Sequence, residues 1–260
     1  MDERSSAAPG MPRRICVANR ALPLRFDPLR NLTPDLLSRQ LDAFESGYLR
    51  EAVETWDAIE KRDDLLKSVI PKRKKSISRH GWDVFIPRHT ESSQMAEASA
   101  HKQALENFYR NLTCTNAIDA NERGAFKLLI RQMMDAVGKR YAVHEIVWNP
   151  AHENGLTAEF RFVPLSFFEN TTGQLRFLNS DGAMEGQPLE PGAWLVTTGE
   201  GLMVASSVAW MFKNLSLKDW LDFSQHHGTP GLQGTTSAAR DSDDWNALVE
   251  TVSDLLDGKS

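Results

Sequence analysis

The chain has 260 residues, 41% hydrophobic and 25% charged, which is ordinary globular usage and enough apolar material for a core in one large or two small domains. Its formal net charge of -5 excludes a generic polyanion binder, so any nucleic-acid contact needs a local basic patch or an assembly geometry. Cys16 and Cys114 lie far apart and in no CxxC, which argues against a disulfide framework or zinc ribbon. The start lacks an apolar signal region, and no run reaches the ~18 apolar residues of a membrane span, so a cytosolic chain is expected.

Residues 1–30 carry Pro9, Pro12, Pro23 and Pro28 without helical periodicity and read as a flexible arm. Thr33-Pro34-Asp35 opens a helix, with Thr33 as N-cap, Pro34 at N1 and Asp35 in the positive first turn. Leu36, Leu37, Gln40, Leu41 and Phe44 stripe one face, and Gly47 ends it. A second helix places Leu49, Val53, Trp56 and Ile59 at helical spacing. A third starts at Asp63 or Asp64, carries Leu65, Leu66, Val69, Ile70 and Ile77, and should kink or break at Pro71.

Gly81 to Ile86 alternates and reads as a strand ending at Pro87. Helices follow over about 91–112 and 122–137, the second closed by Gly138. Four strand candidates come next: Tyr141 to Trp148, Thr157 to Val163, Gln174 to Leu178 and Trp194 to Thr198. The hairpin-length gaps between them, rich in Gly, Asn and Pro, predict an antiparallel meander. A long helix over about 202–226, the turn Gly228-Thr229-Pro230-Gly231 and an amphipathic helix from Asp243 to Leu256 complete the chain. The last helix should turn Trp245, Leu248, Val252, Leu255 and Leu256 inward. Helices, then sheet, then helices make an α+β fold.

No residue set points to catalysis. His226-His227 on a helix and His144-Glu145 on a strand point in different directions, so neither pair chelates one ion, and solvent-facing or helix-end histidines are the simpler reading. There is no GxSxG elbow, and Ser206-Ser207 lie inside a helix. Cys114 has no protease signature around it, and spacing singles out no pair of carboxylates. Gly199-Glu200-Gly201 lacks the third glycine and the βαβ unit of a dinucleotide fingerprint, so it reads as a tight turn feeding the long helix. Lys72, Arg73, Lys74 and Lys75 form the strongest basic cluster; phosphate contact competes there with simple complementation of a helix C-terminus. The long helix is apolar over a wide arc, through Trp210, Met211, Phe212, Leu215, Leu217, Trp220, Leu221 and Phe223. Such a helix is packed in a core or lies in an assembly interface.

One further pattern is sequential. Gly201-Leu202-Met203, Ser207, Ala209-Trp210, Lys213, Leu217-Lys218-Asp219-Trp220, Phe223, Gly228-Thr229-Pro230 and Gly234 follow one another in the order seen in portal proteins of Mu-like phages and prophages, which this chain resembles. Leu32-Thr33-Pro34 with Gly47, Trp56 and Asp63 is similar to the opening helices of that family. Lys72-Arg73-Lys74, Trp82-Asp83-Val84, and Gly138 with Glu145 and Trp148 fit its next steps. The likeness covers roughly residues 30–257. In place of the family's glutamate before the Gly-x-Pro turn stands Gln225 or His226.

The resemblance implies a structural subunit without bond chemistry, cofactor or metal, in a ring typically of twelve copies at one capsid vertex. Implied partners are further copies of the chain, the terminase large subunit, capsid and head-assembly proteins, and the double-stranded DNA passing through. The implied location is the host cytoplasm and then the virion, with no membrane contact. Family members are longer, so the expected organisation is an arm at 1–30, a wing-like α+β domain at 31–200 and a helical segment at 201–260 leading toward a missing stem and clip, as in a truncated portal. The family motif gives structural weight to Gly201, Trp210, Lys213, Asp219, Trp220, Gly228, Pro230, Glu145 and Trp148. The alternative is a DNA-binding or head-morphogenesis adaptor acting through Lys72 to Lys75.

Overall fold

The computed structural model describes residues 27–150, 155–180, 182–227 and 233–256. The arm at 1–26, the turn Gly228-Thr229-Pro230-Gly231 and the side chains of His226, His227, Leu255 and Leu256 lie outside the described residues.

The first helix, α1 (Pro34–Glu45), begins where the sequence places it, because Thr33 Oγ1 accepts the Leu36 N–H at 3.2 Å. Leu37, Gln40 and Phe44 are buried. Gly47 has φ 96°, and a Cβ there would lie 2.4 Å from the Asn170 carbonyl carbon. Only glycine suits both the left-handed backbone and this close approach. Helix α2 (Arg50–Arg62) buries Val53, Trp56 and Ile59, and the Phe44 ring meets Trp56 edge-on with centroids 4.7 Å apart. Asp63 caps α3 (Asp64–Ser78) by accepting the Leu66 N–H at 2.8 Å.

Helix α3 does not break at Pro71, an exposed position where water is available to the Lys67 carbonyl left without a donor. Its apolar residues are not a core stripe: Leu65, Val69 and Ile77 are exposed, and Ser78 is its one buried residue. The expected strand at Gly81 to Ile86 is also absent, since that segment joins no ladder. Trp82 anchors it instead, edge-on to Tyr109 and Phe126 at 5.6 and 5.4 Å, while Phe85 stands 82% exposed.

Helix α4 (Met95–Asn111) leads into β1 (Thr113–Asn116) and β2 (Arg123–Gly124), which fill the gap and first residues of what reads as helix over 122–137. The helical remainder is two pieces, α5 (Phe126–Met133) and α6 (Asp135–Lys139). Gly138 lies inside α6 and does not close it; the chain turns two residues later, at Arg140 with φ 75°. Strands β3 (Tyr141–Asn149) and β4 (Thr157–Val163) form an antiparallel hairpin, and β8 (Trp194–Thr198) joins the other side of β3. The sheet order is β2-β1-β4-β3-β8, and β1 pairs with β4 in parallel, so the sheet is mixed and not a simple meander. Between β4 and β8, β5 (Phe168–Glu169), β6 (Arg176–Phe177) and β7 (Gln187–Pro188) make a small antiparallel sheet that absorbs the expected strand at 174–178. Leu112, Cys114, Leu129, Ala158 and Phe160 form a core cluster between α4, α5 and the large sheet. The fold class is α+β.

Gly199 and Gly201 make the turn into α7 (Met203–His227). A Cβ on Gly199 would lie 2.3 Å from the Ala136 carbonyl oxygen, and Gly201 has φ 74°. The chain divides into two compact units between Val208 and Ala209, inside α7. Phe212, Leu217, Trp220, Leu221 and Phe223 of α7 are exposed, while Met211 is buried and Trp210 and Leu215 are half-buried, so core packing accounts for only part of this arc. In α8 (Asp243–Leu256), Trp245, Leu248 and Val252 are half-buried, and the latter two pack on Gly234.

Candidate functional site

The densest charge constellation was not visible as a motif. Lys139, on α6, has an 8% exposed side chain and pairs with Asp57 on α2, with Asp135 at 3.2 Å and with Glu60 at 3.8 Å. Lys74, on α3, pairs with the other oxygen of Asp135. Two ammonium groups and three carboxylates thus tie α2, α3 and α6 together. Burial works to lower the Lys139 pKa, but Asp135, Asp57 and Glu60 outweigh it and hold the ammonium protonated. Burial also opposes ionisation of Asp135, and Lys139 and Lys74 overcome it, leaving that carboxyl below its usual range. Glu60 goes the other way, pushed up by burial. A faint sequence signal existed: Asp135 and Lys139 sit at i,i+4 in an otherwise apolar stretch.

This arrangement redefines the basic cluster. Lys72, Arg73 and Lys75 are exposed, while Lys74 is held by Asp135 and is a structural cation. Beside it opens a cleft of about 430 Å³ lined by Glu60, Lys61, Leu66, Lys67, Ile70, Pro71, Lys74, Lys75 and Arg131. Its lining is apolar at Leu66, Ile70 and Pro71, acidic at Glu60 and cationic at the other five positions. Arg131 is engaged by Glu122 at 3.1 Å. Lys61, Lys67 and Lys75 make no ion pair among the described residues.

Strand β3 is covered on both faces, since the successive residues Ala142, Val143, His144 and Glu145 are all buried. His144 is therefore not solvent-facing. Its Nε2 lies 3.3 Å from Gln132 Oε1, which also accepts the Cys114 thiol at 2.9 Å. Burial, partly offset by Asp135, pushes the His144 pKa down to about 4, so the ring is neutral. Burial pushes the Cys114 thiol up to about 12, which makes it a poor nucleophile. Glu145 accepts from Arg161 at 3.1 Å, and Arg161 also donates to Glu159 at 3.1 Å. Trp148 donates from Nε1 to the Gly192 carbonyl at 2.7 Å and stacks near Phe108 at 5.9 Å.

The remaining motif residues are spread along one helix and its entry. Gly201 occupies the entry turn, Trp210 is half-buried, and Lys213, Asp219 and Trp220 are exposed. Gly228 and Pro230 lie outside the described residues. The motif therefore traces a helix and its approaches without gathering side chains around one point. Among the described residues no group of three or more His, Cys, Asp or Glu is placed to hold a metal ion, and no helix is long and apolar enough to cross a membrane.

Comparison with known proteins accords with that reading. Residues 53–258 match the family model described as the portal protein of Mu bacteriophage. The Mu-like prophage FluMu protein gp29 of Haemophilus influenzae is 24% identical, over 82% of this chain and 41% of its own length. The portal protein of Escherichia phage Mu is 21% identical, over 88% of this chain and 44% of its own length. The chain spans less than half the length of these curated relatives.

Proposed function

The chain belongs to the portal protein family of Mu bacteriophage, and on that premise we propose that it serves as a portal subunit, one copy in a ring at a capsid vertex through which DNA is packaged and ejected. The observation that carries this reading is the family match over residues 53–258, which runs from within α2 through both sheets to α8. The exposed aromatic arc of α7 supports it. Phe212, Trp220, Leu221 and Phe223 are each more than half exposed, a helical face suited to burial between copies. In this role the subunit performs no bond chemistry. Its partners are other copies of itself, the terminase large subunit, head-assembly proteins and the transiting duplex, in the host cytoplasm and then at the capsid vertex. A net acidic chain suits passage, because a tunnel that gripped phosphates tightly would stall it.

Electron microscopy with mass photometry on protein expressed from its natural reading frame tests this. Closed rings, or oligomers growing with concentration, are expected. A strict monomer at every concentration refutes the ring. The adaptor reading loses support because Lys74 is committed to Asp135, which breaks the four-residue cluster it relied on.

A further inference from the structure

The cleft beside α3 and the last helix are chemical complements. Helix α3 carries Lys67, Lys72, Arg73, Lys74 and Lys75 against the single acid Asp64, and Lys61 and Arg131 add further cations to the cleft rim. Helix α8 carries Asp243, Asp244, Glu250 and Asp254 and no basic residue. On α8, Trp245, Leu248, Val249 and Val252 stand at i, i+3, i+4 and i+7, the spacing by which a helix lays anchors into an apolar groove. Val249 is 52% exposed, and Trp245, Leu248 and Val252 are half-buried, the latter two covered in part by Gly234 of the same chain. At 100° per residue Asp244 borders this stripe, and the other three acids raise the negative potential behind it. On the other side, the cleft is lined by apolar Leu66, Ile70 and Pro71 and by Lys61, Lys67 and Lys75, which make no ion pair of their own among the described residues; Glu60 is the single acid in the lining.

We propose that the α3 cleft is a docking site for the acidic amphipathic helix α8 of a second copy of this chain. Such a contact is heterologous: the cleft of each copy receives the helix of the next, the kind of interface that closes into a ring when the rotation closes. The inference rests on the portal reading for its geometry, and it names two surfaces that reading leaves open. Opposite charges at a rim act mainly on encounter and register, so the contact should weaken with salt.

The test is a charge swap followed by sedimentation velocity and mass photometry over a concentration series. Lys67 and Lys75 are exposed, as are Asp244 and Glu250, so reversing them leaves the fold intact. K67E/K75E and D244K/E250K should each weaken self-association by roughly tenfold, because the charges of the two surfaces become alike, at the stripe's edge through Asp244 and in the potential behind it through Glu250. The fourfold variant should recover most of it, because the pairs are restored with inverted sign. Association that is indifferent to every reversal overturns the contact and leaves the portal reading standing. So does a fourfold variant as weak as the doubles. A shift confined to the melting temperature of a monomer overturns the second-copy occupant. A wild-type chain that stays monomeric throughout overturns the contact, while rings seen by electron microscopy from the natural reading frame decide the portal reading separately.

Discussion

Replacing His144 by phenylalanine should remove a pH dependence that one buried ring imposes on the fold. The imidazole is fully buried on β3, its Nδ1 has no partner, and Nε2 reaches only Gln132. Burial drives its pKa from 6.5 to about 4, the Asp135 charge opposing weakly. The folded state thus binds the proton less well than the unfolded chain. The penalty is absent above pH 6.5, grows as the pH falls below that value, and stops growing below about pH 4, where the folded ring is itself protonated. The gap between 6.5 and about 4, at 1.36 kcal/mol per unit, makes about 3 kcal/mol of stability lost between pH 7 and pH 4 through this residue. Phenylalanine cannot titrate and keeps the edge-on packing against Phe162, which lies 5.4 Å away, while Gln132 retains the Cys114 thiol as donor. Urea denaturation of both proteins at a series of pH values measures the effect as a difference of slopes, in which the common carboxylate contributions cancel. Whatever the variant loses at pH 7, its curve should fall less steeply by about 3 kcal/mol in total over that window. Parallel curves would refute the account of His144 as a buried neutral base.

Three further outcomes are expected. Lys139→Met strands Asp57, Glu60 and Asp135 around a lost cation and should destabilise the protein by about 3–5 kcal/mol at pH 7, measured by urea denaturation. Because the lysine pKa is raised, its stabilisation is fully present below the ordinary lysine range and disappears only as pH rises beyond it. Gly47→Ala meets both a φ of 96° and the Asn170 carbonyl, and should cost more than about 1 kcal/mol in thermal or urea unfolding. In a Cys16→Ser background, Cys114 should resist iodoacetamide at pH 8 while the protein is folded and react readily in urea, as followed by mass spectrometry.

Local chemistry is what the sequence made legible. Thr33-Pro34 and Asp63 cap their helices through their own side chains, and Gly47 and Gly201 take the positive φ that turns demand, so short-range pattern located them. The β3–β4 hairpin was equally readable, because alternation and a turn signal lie within one window. What escaped depends on distant partners. Thr-Cys-Thr-Asn at β1 has too few residues for a period, and it is a strand through its pairing with β2 and, across the chain, with β4. Gly81 to Ile86 alternates as a strand should, yet no edge receives it. Lys74 looked like one cation among four until Asp135 appeared beside it. Of the candidate site, the basic residues were legible and the carboxylates that sort them were not, since ion pairs across helices leave no spacing to read.

The parallel seam between β1 and β4 also has a consequence in time. Cys114 meets Gly124 within β1–β2, and Asn149 meets Thr157 within β3–β4, so each hairpin closes a short loop. Cys114 meets Phe160 only after the intervening chain has been brought round. Chain entropy therefore favours two independent early ribbons and a late zippering step that joins them, with β8 added from the far side. A newly made chain would pass through a stage in which the edges of β1 and β4 are both open and able to pair with another chain. The rate of that single step sets how long each new chain stays vulnerable to pairing with another.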